Sequence, residues 1–149
     1  MSGENAVMIV RSVLDAFARN DPKGYEKHFT NDIIFVHRPS GNTLRGLDAV
    51  SASFANWRRE FSEVSTEILD EFAFENRAVA QIRWSGRLGS RNIEIDFIAC
   101  WVLSFREEKL CEIVDFYDKD TYQQQIDRAV KEDGHSVTTL SELNGRADS

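Results

Sequence analysis

Asp115 stands in the middle of an apolar run. Leu110, Ile113, Val114, Phe116 and Tyr117 surround it with residues that suit a pleated, half-buried strand. An ionised carboxylate is costly to bury without a partner. An acid kept inside a protein has its pKa pushed toward neutrality, where it can take a proton from an acidic carbon or activate water. Two further groups could serve the same chemistry. His37 closes the apolar run Ile33-Ile34-Phe35-Val36, and Tyr117 follows Asp115 by two positions. Either could orient a substrate or stabilise a developing oxyanion. Other chemistries find no support. His28, His37 and His135 lack metal-ligand spacing, and Cys100 and Cys111 form no C-x-x-C pair and are expected as free thiols. Neither a phosphate-cradling glycine loop nor a nucleophile elbow occurs. The expectation is a site with no metal and no cofactor.

The elements that must position these groups read as follows. Ala6, Val7, Ile9, Val10, Val13, Leu14 and Phe17 recur at helical spacing, predicting a helix from about Glu4 to Arg19. Asn20-Asp21-Pro22 stops it, and a short second helix follows over Lys23 to Phe29. Ile33 to Arg38 is a strand, ended by Pro39 and the loop Ser40-Gly41-Asn42. A third helix runs from Leu47 or Asp48 to Phe61, with Ala49, Val50, Phe54 and Trp57 on its apolar side. Strands are predicted from Val64 to Phe74, Ala78 to Leu88 and Ile93 to Phe105, the last two joined by a hairpin at Gly89-Ser90-Arg91-Asn92. Glu107-Glu108 turns the chain into the strand that carries Asp115. Asp118 or Asp120 then caps a final helix at Thr121 to Gln125. Helices segregated from a mostly antiparallel sheet define an α+β domain, here a strongly curved, cone-shaped sheet wrapped around three N-terminal helices.

Strand alternation assigns the faces. Ile95, Phe97, Ala99, Trp101 and Leu103 share one face, taken as the inner one. A tight turn at Glu107-Glu108 places Trp101 opposite Asp115, Leu103 opposite Ile113 and Ala99 opposite Tyr117. Asp115 and Tyr117 therefore look inward, and Ile82 and Trp84 join them by the same hairpin logic. If Phe35 looks inward, so does His37. The expected pocket has His37, Asp115 and Tyr117 as polar groups and Phe35, Trp57, Ile82, Trp84, Phe97 and Trp101 as apolar walls. Such a cavity is where a hydrophobic small molecule would bind. The outward residues Ile98, Cys100, Val102, Val114 and Phe116 are too apolar to face water, which predicts a homodimer through the outer sheet face. Asp96 and Arg83 are expected to face outward, and His28 and His135 to lie at the surface.

A chain of 149 residues with 42% hydrophobic content fits one domain, expected over residues 1–132, with a polar and flexible tail over 133–149. The net charge of −7 disfavours nucleic acid and anionic membrane surfaces. No apolar run approaches membrane-spanning length. The N-terminal stretch carries Glu4 and Arg11 and does not read as a signal peptide. The expected location is the cytoplasm.

The order and spacing of Asp32-Ile33-Ile34-Phe35-Val36-His37-Arg38-Pro39, Gly46-Leu47-Asp48-Ala49, Phe105, Glu108-Lys109-Leu110, Asp115, Asp118 and Gln125 resembles the SnoaL-like branch of the nuclear transport factor 2-like superfamily. The resemblance covers about residues 5 to 126 and implies a cystatin-like α+β barrel. Polyketide cyclases of the SnoaL type use an aspartate as general base at the position matched by Asp115. Limonene-epoxide hydrolases also match an aspartate to Asp115, but they carry an Arg and a second Asp on the middle strand. Ile82 and Trp84 occupy those positions here, and Phe35 and His37 replace the hydrolases' water-holding Tyr and Asn. Epoxide hydrolysis is therefore disfavoured. The expected function is a cofactor-free cyclase or ketosteroid-isomerase-like isomerase acting on a hydrophobic carbonyl compound, with Asp115 as general base. The alternative is a non-catalytic ligand-binding or dimeric scaffold domain of the same fold.

Overall fold

Side chains at helical spacing bury one face of α1 (Gly3–Ala18), where Ala6, Val10, Val13, Leu14, Ala16 and Phe17 are all buried. The computed structural model describes residues 2–133. Ser2 caps α1 by accepting a hydrogen bond from the Asn5 backbone N–H. Asp21 caps the short α2 (Pro22–Glu26), which has proline in its first turn. The chain then enters β1 (Phe29–His37), turns through Gly41 and returns as β2 (Asn42–Arg45). Helix α3 (Leu47–Arg59) leads into three long strands, β3 (Phe61–Phe74), β4 (Arg77–Leu88) and β5 (Ile93–Arg106). Strand β6 (Lys109–Tyr117) and helix α4 (Lys119–Asp133) complete the described chain.

The strands form one open sheet in the order β2-β1-β6-β5-β4-β3. All neighbours are antiparallel except β1 and β6, which run parallel. The β5–β6 register pairs Trp101 with Asp115, Leu103 with Ile113 and Ala99 with Tyr117, as the turn logic required. Glu107 and Glu108 both adopt positive φ, the conformation of a two-residue hairpin turn that keeps the strand twist. Irregularities at Phe61/Glu63 and Ile68/Asp70 in β3 bend the long edge strand. At the first of these, Gly86 is required by close approach: a Cβ there would lie 2.5 Å from the Glu63 carbonyl oxygen.

Inner-face residues of β4, β5 and β6 alternate with less buried ones and meet the buried faces of α1 and α3. The last helix closes the arrangement. Tyr122 and Ile126 are buried, and Tyr122 packs against Phe97 and Tyr117. β6 pairs with β5 only from Ala99 onward. Where β6 has left, the Gln125 side-chain amide accepts from the Asp96 N–H and donates to the Asp96 carbonyl, replacing a strand partner.

Several elements differ from the sequence reading. β2 has no counterpart in the sequence reading, which places a loop at Ser40-Gly41-Asn42 and assigns nothing to residues 43–45, because four residues with one apolar side chain carry no alternation signal. β1 begins at Phe29, where the second helix was expected to end. Phe61 opens β3 instead of closing α3. α4 extends well beyond Gln125 and reaches Asp133, where the tail was expected to start; residues 134–149, including His135, lie outside the described residues. Asp118 caps α4 through the Asp120 N–H and the Thr121 hydroxyl. His28 is half-buried, with its ring nitrogen 2.9 Å from the Ser12 hydroxyl. Both cysteines are free.

Candidate active site

Three strands bring the polar groups together. β1 ends at His37, whose parallel partner on β6 is Asp115, and Asp115 pairs across to Trp101 on β5. Asp115 is 5% exposed, one of the few polar side chains in the core. Burial raises its pKa from 3.8 to about 7, with the Trp101 indole N–H pulling in the opposite direction. That N–H lies close to the carboxylate without completing a hydrogen bond: Trp101 Nε1 and Asp115 Oδ1 are both buried and unpartnered. The carboxylate therefore has no strong stabiliser within the protein.

His37 is held from both sides. The Ser40 hydroxyl lies 2.6 Å from Nδ1, and the Ser40 backbone N–H donates to the same nitrogen at 3.3 Å. An acceptor at Nδ1 assigns the ring proton to Nε2. Nε2 is 3.0 Å from the Tyr117 hydroxyl and 4.0 Å from Asp115 Oδ2. Asp115, His37 and Tyr117 are thus neighbours on adjoining strands, with His37 between the other two.

A small cavity lies beside them. Asp115, His37, Phe35, Trp57, Trp84 and Trp101 line it. Three expected lining residues do not. Tyr117 reaches His37 from the side and lines an outer groove with Arg38, Phe116 and Asp118. Phe97 lines a smaller adjacent cavity that shares Phe17, Trp57 and Trp84 with the first. Ile82 is fully buried beneath the wall. Four residues complete the lining that sequence reasoning had not placed there: Phe17, Leu44, Ser53 and Phe54. Phe17 and Phe54 were legible as apolar helix positions, but periodicity gives a face and not which cavity it borders. Leu44 sits on the unrecognised β2. Ser53 carried a usable signal, a polar residue on the helix side defined by Val50, Phe54 and Trp57.

Among the described residues Asp115 is the only carboxylate in the lining, and no arginine or lysine lines the cavity. Arg83 points outward, where it grips Asp96 at 2.6 and 3.0 Å. The middle strand offers the cavity Trp84 and no acid. Among the described residues no cluster of histidine, cysteine and carboxylate side chains could hold a metal ion.

A family model described as a SnoaL-like domain matches residues 10–113, more than half of the chain. The chain belongs to the SnoaL-like domain family. The matched segment contains His37 and every aromatic residue of the cavity wall; Asp115 and Tyr117 follow just beyond it. Solved structures share the fold. A protein described as a SnoaL-like polyketide cyclase from Shewanella denitrificans superposes with a TM-score of 0.74 at 18% identity, covering 81% of this chain and 96% of that one. An LEH-like epoxide hydrolase from M. tuberculosis gives 0.74 at 13% identity, covering 87% and 94%. A protein of ketosteroid isomerase-like fold from Catenulispora acidiphila, bound to trimethylamine, gives 0.72 at 18% identity, covering 78% and 90%. No curated protein sequence matches the chain significantly. These likenesses fix the SnoaL-like fold; at such identities they carry no activity across. Among the described residues no helix is long and apolar enough to cross a membrane.

Proposed function

We propose that this SnoaL-like domain is a cofactor-free cyclase or isomerase that binds a hydrophobic carbonyl compound and uses Asp115 as general base. The observation that carries the reading is a single buried carboxylate, raised to about 7, at an aromatic cavity lined by no lysine or arginine among the described residues. A base with that pKa is half ionised at neutral pH and strong enough to remove a proton next to a carbonyl. The C–H bond breaks, its electron pair moves into the enolate, and the proton goes to Asp115. Return of the proton to another carbon completes an isomerisation; attack of the enolate carbon on a second carbonyl breaks its C=O π bond, and the resulting alkoxide takes the proton back from Asp115 to complete a cyclisation.

The Nε2–H of His37, which donates to the Tyr117 hydroxyl in the free protein, is the donor offered to the enolate oxygen. Tyr117 acts one step removed, through its contact with His37 Nε2, and is a positioning residue. Phe35, Trp57, Trp84 and Trp101 exclude water and bind the apolar body of the substrate. Epoxide hydrolysis is not favoured, because the lining has no second acid to protonate the opening oxygen.

Solvent-deuterium exchange into 2-tetralone and related hydrophobic ketones, followed by NMR, tests the assignment. The wild-type protein should accelerate exchange above the buffer rate, and Asp115→Asn, with an unchanged circular dichroism spectrum, should abolish the acceleration. Equal exchange in the two proteins would remove Asp115 from the mechanism. No acceleration by either would leave only the non-catalytic binding role.

A homodimer through the outer sheet face is part of the same reading. Ile98 is 51% and Phe116 43% exposed on that face, and Phe72 and Phe74 extend the apolar surface along β3. Light scattering at micromolar concentration should give twice the monomer mass; a monomer contradicts the covered face.

A further inference from the structure

The cavity wall is a closed circuit of rings. Phe35 meets Trp101 at 6.5 Å between centroids, Trp101 meets Trp84 at 5.8 Å, and Trp84 meets Phe17 at 5.5 Å. Phe17 meets Phe54 at 5.9 Å, and Phe54 returns to Phe35 at 5.1 Å. Trp57 joins the circuit through both Phe17 and Trp84. Beside these six rings sits one carboxylate whose Oδ1 has no hydrogen-bond partner. No lysine or arginine lines the space.

We infer that this cavity binds a compact organic cation, an alkylammonium head group, held by the aromatic circuit and the Asp115 carboxylate. This inference concerns ligand class and stands apart from the proton-transfer reading of the same site.

A carboxylate among aromatic rings needs a counterion or a proton, and among the described residues no lysine or arginine lines the cavity to supply a permanent positive charge; His37 is charged only when protonated. A methylated ammonium ion fits both parts of the site. Its apolar methyl shell carries the charge against ring faces, which attract it electrostatically, and its net charge answers the carboxylate. A small anion would meet the negative faces of the rings and the carboxylate together. A neutral molecule of the same shape would gain the apolar contact and leave Asp115 unpaired.

The groups facing Asp115 define the pH dependence. His37 on β1 places Nε2 4.0 Å from Oδ2, Trp101 on β5 presents an N–H, and Cys100, also on β5, is near enough to feel the charge. From the helices, α3 contributes Ser53 and α1 contributes Phe17, neither of which ionises near neutral pH. Cation binding therefore requires the ionised form of Asp115. His37 is the one protein group placed to compete for that carboxylate.

Choline and its uncharged isostere 3,3-dimethylbutan-1-ol test the inference on the intact protein by titration calorimetry or ligand-observed NMR. At pH 8 choline should bind at least about tenfold more tightly than the alcohol, tenfold corresponding to about 1.4 kcal/mol. Between pH 8 and pH 5.5 choline affinity should fall at least about tenfold, while affinity for the alcohol stays level. Asp115→Asn should erase the preference for choline. Equal binding of the two probes at pH 8, no binding of choline, or a choline affinity independent of pH would each overturn the inference. The first two comparisons use wild-type protein, so a poorly folding variant does not remove the test. The ketone-exchange assay separates the two readings: exchange without choline binding sinks only this inference, and choline binding without exchange sinks only the catalytic one.

Discussion

Asp115 and Asp96 are the same residue type on neighbouring strands of one sheet, and the fold pushes them in opposite directions. Asp96 lies on the outer face, where the Arg83 guanidinium grips it through two hydrogen bonds and holds its carboxyl below the usual range. Asp115 lies on the inner face with no arginine or lysine at the cavity it borders, and burial raises it to about 7. The ion pair outside is partly exposed and screened by water, so it adds little. The lone acid inside costs stability and in return holds a proton that can move near neutral pH. A single step of strand alternation separates the two outcomes, since Arg83 sits beside Trp84 but points the other way.

Removing the inner charge should have the largest effect. The raised carboxyl binds its proton more tightly in the folded chain than in the unfolded one. Below about pH 4 both states are protonated and the cost is nil. As pH rises from about 4 toward 7 the unfolded chain ionises while the folded chain keeps its proton, so stability falls, and the loss is complete once the folded chain also ionises above about 7. From 3.8 to about 7 this amounts to about 4 kcal/mol. Denaturant titrations should show Asp115→Asn gaining on wild type by up to that amount between pH 4 and pH 8, and parallel curves would break the comparison.

Turnover comes next. If Asp115 is the base, Asp115→Asn should slow ketone exchange by about 100-fold or more. Tyr117→Phe removes the hydroxyl that meets His37 and leaves the cavity wall intact. Its saturated exchange rate should fall about tenfold, the worth of one positioning hydrogen bond, with the half-saturating ketone concentration and melting temperature unchanged. A rise in half-saturation alone would mean that Tyr117 shapes binding. The smallest effect belongs to the outer face: Asp96→Asn should leave exchange untouched, measured in the same assay.

Much of this arrangement was legible in the sequence because alternation and turn length are strict rules. Once Glu107-Glu108 is read as a tight turn, the pairing of Trp101 with Asp115 follows, and with it the inward direction of the acid. The same rules could not rank depth. Ile82, Trp84, Phe97 and Trp101 share a face, yet of these only the tryptophans border the cavity beside Asp115. Tyr117 also faces inward by register, but β6 ends there and α4 begins, so Tyr122 packs over its ring and its hydroxyl meets His37 from the rim. Leu44 was invisible because β2 is too short for a pattern. The contributions of α1 and α3 depended on helix docking, which periodicity does not specify.

The account rests on the ionisation of one carboxylate. The side-chain carbon of Asp115 in carbon-13-labelled protein, assigned by its absence in Asp115→Asn, can be followed by NMR from pH 3 to pH 9. The account predicts a titration midpoint of about 7. A midpoint near the ordinary value of 3.8 would contradict it.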